Sequence, residues 1–153
     1  MFKYLFNRQA RYRENIIEKL KKFPAQDLRK RVAPNKWSIE ELIRHIMFTT
    51  DYWMRKIVLK DSKTPLHPIG VENDTQATVW YSLDEISEGF NEVFSIISNY
   101  LEKKPDYCEI IPFNGEEFML KWIFWHILQH ELETWGQIAE RIRTYGYPTP
   151  WEF

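Results

Sequence analysis

The chain is poor in cysteine, with Cys108 alone among its 153 residues. A single cysteine excludes an internal disulfide and fits a reducing compartment. Pro105, Asp106 and Tyr107 precede it and offer no neighbouring base. We therefore interpret Cys108 as a small, half-buried apolar residue rather than a nucleophile.

Long hydrophobic runs are also lacking. No apolar stretch approaches the ~20 residues that a membrane-spanning helix needs. Residues 1–8 are interrupted by charge and contain no signal-peptide core. We expect a soluble, cytoplasmic protein that does not associate with a membrane.

Neither sign of charge dominates, since 21 basic residues stand against 22 acidic ones and the net charge is −1. The chain therefore has no general attraction to a polyanion. We interpret the short basic runs at residues 19–22 and 29–31 as solvated surface. We predict no nucleic-acid partner.

Apolar residues, by contrast, make up 44% of the chain and aromatic residues 16%, including seven tryptophans. A chain of this length can bury a core without staples, so we predict one domain over residues 1–153. Hydrophobic periodicity predicts four long helices, at about residues 2–22, 38–57, 82–104 and 120–145. Capping boxes that start at Ser38 and Ser82 mark two of the helix starts.

The connections between these helices are unequal. Residues 61–78 are punctuated by proline and aspartate and are too long for a simple turn. Residues 107–118 hold Asn114-Gly115 between apolar flanks, which predicts a short hairpin or an irregular loop, and Pro112 argues against a central strand. We predict an all-α fold, a four-helix bundle with long connections.

Histidine is scarce as well, with four residues, but three of them fall in helical patterns. His126 and His130 are four residues apart and share a helix face, while His45 lies on the flank of another helix. Three neutral imidazoles can hold a divalent metal and leave a position open for water or substrate. The alternative is that these are half-exposed polar residues; His67, in a loop, is expected at the surface.

Glu131 projects toward the apolar stripe of the last helix, where a carboxylate is costly unless it is paired. Two interpretations stay open: a group that orients a histidine N–H, or a structural contact with an Arg or Trp N–H of another helix. We expect Trp122, Trp125 and Trp135 to pack, although one at a groove rim could line a pocket.

Several short motifs, taken in order, resemble the DinB-like superfamily, which includes the bacillithiol- and mycothiol-dependent transferases. The motifs are Trp37-Ser38, His45, His130-Glu131, Gly136-Gln137-Ile138 and Arg143-Thr144-Tyr145-Gly146. The resemblance covers essentially the whole chain. It implies a four-helix bundle with an unusual connection order, often a homodimer, and zinc or nickel on three histidines.

One position departs from the family pattern. The resemblance carries ligand roles to His45 and His130, but Thr134 stands where the family has its next histidine. A neutral threonine hydroxyl is a poor zinc ligand, so the metal could be absent. His126 is our candidate for the missing ligand, although it lies one turn, ~5 Å, away.

Two functional hypotheses follow. In the first, the resemblance implies a thiol transferase or a hydrolase that acts on small electrophilic molecules with a low-molecular-weight thiol, with Glu131 near the metal and Tyr52 as a candidate proton donor. In the second, the chain is a non-catalytic binding or stress-response protein with a degenerate metal site. We expect the aromatic tail of residues 145–153 to fold back over the bundle or to join a dimer interface.

Overall fold

The computed structural model of the chain describes residues 1–61 and 81–149. The predicted long connection at residues 61–78, with His67, lies outside the described residues except for residue 61. The last four residues of the aromatic tail also lie outside them.

In the part of the chain that is described, four long helices confirm the predicted helical bundle. The helices are α1 (Phe2–Leu20), the short α2 (Ala25–Arg29), α3 (Ile39–Asp51), α4 (Leu83–Glu102) and α5 (Leu120–Thr144). The α3 helix continues as a π-helical segment, Tyr52–Val58. None of the described helices is long and apolar enough to cross a membrane.

Both predicted capping boxes form. Ser38 Oγ accepts a hydrogen bond from the Glu41 amide, and the Glu41 carboxylate accepts one from the Ser38 amide. Ser82 and Glu85 make the same reciprocal pair at the start of α4. These side chains satisfy amide groups that a helix N-terminus leaves without partners, so the starts of α3 and α4 are fixed locally.

The segment before α5 is a hairpin of two antiparallel strands, β1 (Ile110–Phe113) and β2 (Glu116–Met119). Asn114 and Gly115 have φ angles of 50° and 83°. Positive φ at both central residues is typical of the tight turn that the Asn-Gly pair predicts. The hairpin leads directly into α5.

The core lies between α1, α3, α4 and α5. Phe124 of α5 contacts Phe2 and Phe6 of α1, with ring centroids 5.2 and 5.7 Å apart. Trp135 is 1% exposed, as expected, whereas Trp122 and Trp125 are 45% and 51% exposed. Trp122 and Trp125 are packed on one side only, Trp122 against Phe118 at 5.2 Å and Trp125 against Phe2 at 5.9 Å.

The described part of the tail folds back over α2. Tyr145 donates a hydrogen bond to the Lys30 carbonyl, and Tyr147 donates one of 2.6 Å to Asp27 Oδ2. The Tyr147 ring also lies 4.8 Å from that of Phe23. Of the two alternatives for the tail, residues 145–147 follow the first.

Candidate metal centre

Two histidines from different helices meet at the interface of α3 and α5. The Nε2 atoms of His45 and His130 are 3.0 Å apart, although the residues are 85 positions apart in sequence. Their ring centroids are 4.8 Å apart and the rings are inclined by 64°. Both side chains are half-buried, as their places on the flanks of the two apolar stripes predict.

The spacing of the two nitrogens suits a shared ion. Two imidazole nitrogens bound to one tetrahedral zinc at ~2.0–2.1 Å would lie ~3.3–3.4 Å apart. The observed 3.0 Å is within a few tenths of an ångström of that separation, which small rotations of the rings can supply. The same distance also suits a hydrogen bond in which one Nε2 donates to the other.

Both rings are held in the neutral form that a metal requires. Burial lowers the pKa of His45 to about 4, and the nearby His130 adds to this effect. Burial also lowers the pKa of His130, with a further contribution from His126. At neutral pH each imidazole therefore keeps a lone pair that can bind a metal.

Thr49 and Trp37 surround the His45 ring. Thr49 Oγ1 lies 3.4 Å from His45 Nδ1, one turn along α3. A proton on Nδ1 directed at this hydroxyl leaves the Nε2 lone pair facing His130. The Trp37 ring packs 4.6 Å from the His45 ring and limits its rotation.

Thr134 does not supply a third ligand in this arrangement. Its side chain is 2% exposed, and its hydroxyl donates a 2.8 Å hydrogen bond to the carbonyl of His130. A hydroxyl engaged with its own helix satisfies its donor within α5.

His126 lies on the turn before His130 and takes part in an aromatic stack. Its ring is parallel to that of Trp122 within 6° at 4.9 Å, and Trp53 meets it edge-on at 4.9 Å. The ring centroids of His126 and His130 are 6.1 Å apart.

Within residues 1–61 and 81–149, no three His, Cys, Asp or Glu side chains lie close enough to hold a metal ion. The ligand role of His126 stays a prediction that requires its ring to leave the stack.

Comparison with known proteins assigns the fold to a family. The sequence profile described as the DinB superfamily matches residues 9–138, most of the chain. The chain belongs to the DinB superfamily.

A solved structure supports the same fold. The crystal structure of a DinB-like protein from Bacillus cereus ATCC 10987 superposes with a TM-score of 0.68 at 18% sequence identity. The alignment covers 97% of this chain and 95% of the other. No curated protein matches the chain significantly in sequence.

In this DinB bundle Glu131 pairs with α1. Its carboxylate accepts two hydrogen bonds from the Arg13 guanidinium, at 2.8 and 2.9 Å, and one of 3.1 Å from the Trp135 indole N–H. Glu131 and Arg13 are 1% and 7% exposed. Of the two interpretations of Glu131, these contacts match the structural one, a buried pair with an Arg or Trp N–H. They hold α5 against α1 at the residue that follows His130.

Tyr52 begins the π-helical segment that follows α3. Its ring packs 6.2 Å from Phe48 and meets Phe113 of β1 edge-on at 6.1 Å. These contacts place it between α3 and the hairpin. Its role as a proton donor stays a prediction.

Sequence reasoning did not single out Arg13 or Trp53 as part of the site. Arg13 gives no local signal, because its partner is 118 residues away. Trp53 lies on the same helical stretch as His45, but helical spacing gives no signal of its contact with His126 on α5.

Proposed function

We propose that the chain is a metal-dependent enzyme of the DinB superfamily in which His45 and His130 hold a divalent transition metal, zinc or nickel. The reaction would be transfer of a low-molecular-weight thiol to a small electrophilic molecule, or hydrolysis of such a molecule. The convergence of the two Nε2 atoms, contributed by α3 and α5, is the observation that carries the proposal.

The surrounding side chains support this assignment. Thr49 orients the His45 ring, Trp37 restricts it, and Glu131 with Arg13 keeps α5 in position. When bound, a metal ion lowers the pKa of a coordinated thiol or water. With two protein nitrogens in place, His126 is the proposed third ligand.

The half-exposed aromatic rings beside the histidines suit a small organic substrate. Trp122 and Trp53 form an apolar wall, with ring centroids 5.7 Å apart, that does not require His126 to stay in the stack. Tyr52 is the proposed proton donor to the product. We also propose that the chain works as a homodimer, which sedimentation velocity at several protein concentrations will test.

A non-catalytic DinB-like binding or stress-response protein is the second candidate. The hydroxyl of Thr134 is used within α5 rather than directed at the histidines, and this observation favours a degenerate metal site. In that case the two histidines share a hydrogen bond instead of an ion.

Metal analysis separates the two candidates. The protein should be purified without chelator or affinity tag, and its metal content measured by mass spectrometry. We expect about one zinc or nickel per chain, lost in His45→Ala and in His130→Ala. His67→Ala is the matched control, since no ligand role is assigned to it, and it should retain the metal.

Two outcomes would decide against the enzyme proposal. Stoichiometric metal in both His45→Ala and His130→Ala would place the ion elsewhere. A folded wild-type protein without metal, even after supplementation with zinc and nickel, would favour the binding protein.

A further inference from the structure

A groove between α1 and α5 lies on the other side of α5 from the paired histidines. Its volume is about 630 Å³, which is in the range of sites for small organic ligands. Trp125, Leu128 and Leu132 line it from α5 and point roughly 150° around the helix from His126 and His130. The groove is therefore separate from the candidate metal centre.

The floor of the groove is apolar and open. Leu5 and Tyr12 of α1 face Leu128 of α5 across it. Trp125 and Leu132 are 51% and 50% exposed. Large apolar side chains that remain in contact with water within a concave surface indicate a binding site rather than a packing accident.

Two cations stand beside this apolar floor. Arg8 and Arg11 belong to the groove lining and are exposed, and neither has an ion pair with any acidic side chain in the described ranges. The lining contributed by those ranges contains no Asp or Glu. Gln9 lies between the two arginines in sequence, and its buried Nε2 donates no hydrogen bond to any residue that the structure describes. This amide lies beneath the surface of the groove and is not counted among the groups that would contact a ligand.

We propose that this groove binds a dissolved amphipathic organic anion, with its apolar body against Trp125, Leu128 and Leu132 and its acidic head beside Arg8 and Arg11. The proposal goes beyond the metal centre and does not depend on it. A second copy of the chain fits the groove less well than an anion does, because its groove carries the same positive charge. A two-fold contact that buried the groove would bring the arginines of both copies together without an acidic partner from the groove.

Two fluorescent probes of similar shape test the charge requirement. The anion 1-anilinonaphthalene-8-sulfonate and the neutral N-phenyl-1-naphthylamine share their aromatic body and differ in the acidic group. We expect the sulfonate to bind one per folded chain and more tightly than the neutral probe. In the double variant Arg8→Gln/Arg11→Gln, the Kd of the sulfonate should rise about tenfold, because two partly exposed charge contacts are lost. The Kd of the neutral probe should change less than about twofold, since the apolar floor is intact.

Two further variants locate the site. Leu132→Gln should weaken both probes by about fivefold, because it removes apolar contact from the groove. Arg143→Gln/Lys103→Gln is the matched control: it removes two exposed cations outside the groove and should leave both affinities unchanged. Circular dichroism confirms that each variant is folded before the titration.

The proposal is overturned if the two probes bind equally and the arginine double variant changes neither affinity. It is also overturned if sedimentation shows a dimer and the bound sulfonate decreases as the dimer fraction rises. A second copy of the chain would then be the occupant of the groove. Sulfonate binding that weakens in the arginine and leucine variants but not in the control variant supports it.

Discussion

The buried ion pair between Arg13 and Glu131 allows a sharp test, because it separates a structural role of Glu131 from a role at the metal. The substitution Glu131→Gln keeps the volume and removes the negative charge. It leaves the Arg13 guanidinium, 7% exposed and stacked 4.3 Å above the Phe90 ring, without its counter-ion. Breaking one partner of a buried pair costs about 3–5 kcal/mol of unfolding free energy.

This cost is a large fraction of the ~5–15 kcal/mol that stabilises a typical domain. In a chain of this size each kcal/mol lowers Tm by ~2–4 °C, so Glu131→Gln should lower Tm by about 10 °C. Urea unfolding followed by far-ultraviolet circular dichroism measures the free energy directly. Glu133→Gln, an exposed change two residues along α5, is the matched control and should shift stability by less than ~0.5 kcal/mol.

The double variant Arg13→Met/Glu131→Leu completes the test. Removal of both charges leaves no unpaired ion, so this variant should be within ~1–2 kcal/mol of the wild type, far better than Glu131→Gln. The structural interpretation also predicts that Glu131→Gln binds zinc as tightly as the wild type. A drop of ~10–100-fold in zinc affinity with unchanged stability would refute it and would show that Glu131 orients a metal ligand.

Three further predictions address the histidines and the helix starts. Thr134→His should raise zinc affinity at least about tenfold, because it adds a nitrogen donor one turn beyond His130. Competition with a chromophoric chelator measures the affinity. The larger side chain should also lower the unfolding free energy by ~1–3 kcal/mol, because it overpacks a buried position. The pKa of His45 lies at about 4 in the folded chain against an ordinary value of 6.5, so the unfolded chain binds more protons between these pH values and stability falls as the pH decreases through this window. Urea unfolding with chelator present measures this loss of unfolding free energy. Its upper limit is ~3 kcal/mol, and we expect about half of that because solvent screens a partly exposed ring. The loss should be smaller in His45→Gln, which has no imidazole to titrate at this position. Ser38→Ala should lower stability by about 1–2 kcal/mol and more than Ser82→Ala in thermal unfolding, because Ser38 is fully buried and its cap cannot be replaced by water.

The helix starts and the hairpin could be predicted because their signals are local. Ser38 and Ser82 cap their own helices, and Asn114-Gly115 adopts the conformation that this pair favours. The short α2 helix was missed: its five residues, Ala25–Arg29, contain one buried apolar side chain and so show no helical period. The π-helical segment Tyr52–Val58 was missed because seven residues are too few for its wider i→i+5 turn to show as a separate side-chain period.

The site could be predicted in part, according to how far each contact depends on tertiary packing. Helical spacing placed His45, His130 and Glu131 correctly relative to their own stripes, and family resemblance then joined the two histidines. The partner of Glu131 could not be read from the sequence, since Arg13 is chosen by the docking of α1 on α5. The stacking of His126 on Trp122 also competes with the ligand role, and helical spacing alone cannot decide between them.

The environment of Thr134 shows why this buried position needs no bound ion. A buried threonine would be costly if its hydroxyl were left unsatisfied. Here the hydroxyl donates to the carbonyl one turn earlier, so the position is satisfied within α5. The paired histidines are neutral and are held by Thr49 and Trp37 from α3 and its preceding loop. The apolar core between the helices is large enough to supply folding free energy, unlike that of small metal-dependent domains. We therefore expect His45→Ala and His130→Ala to remain folded, so that a metal measurement on these variants reports on the proposed site and not on unfolding.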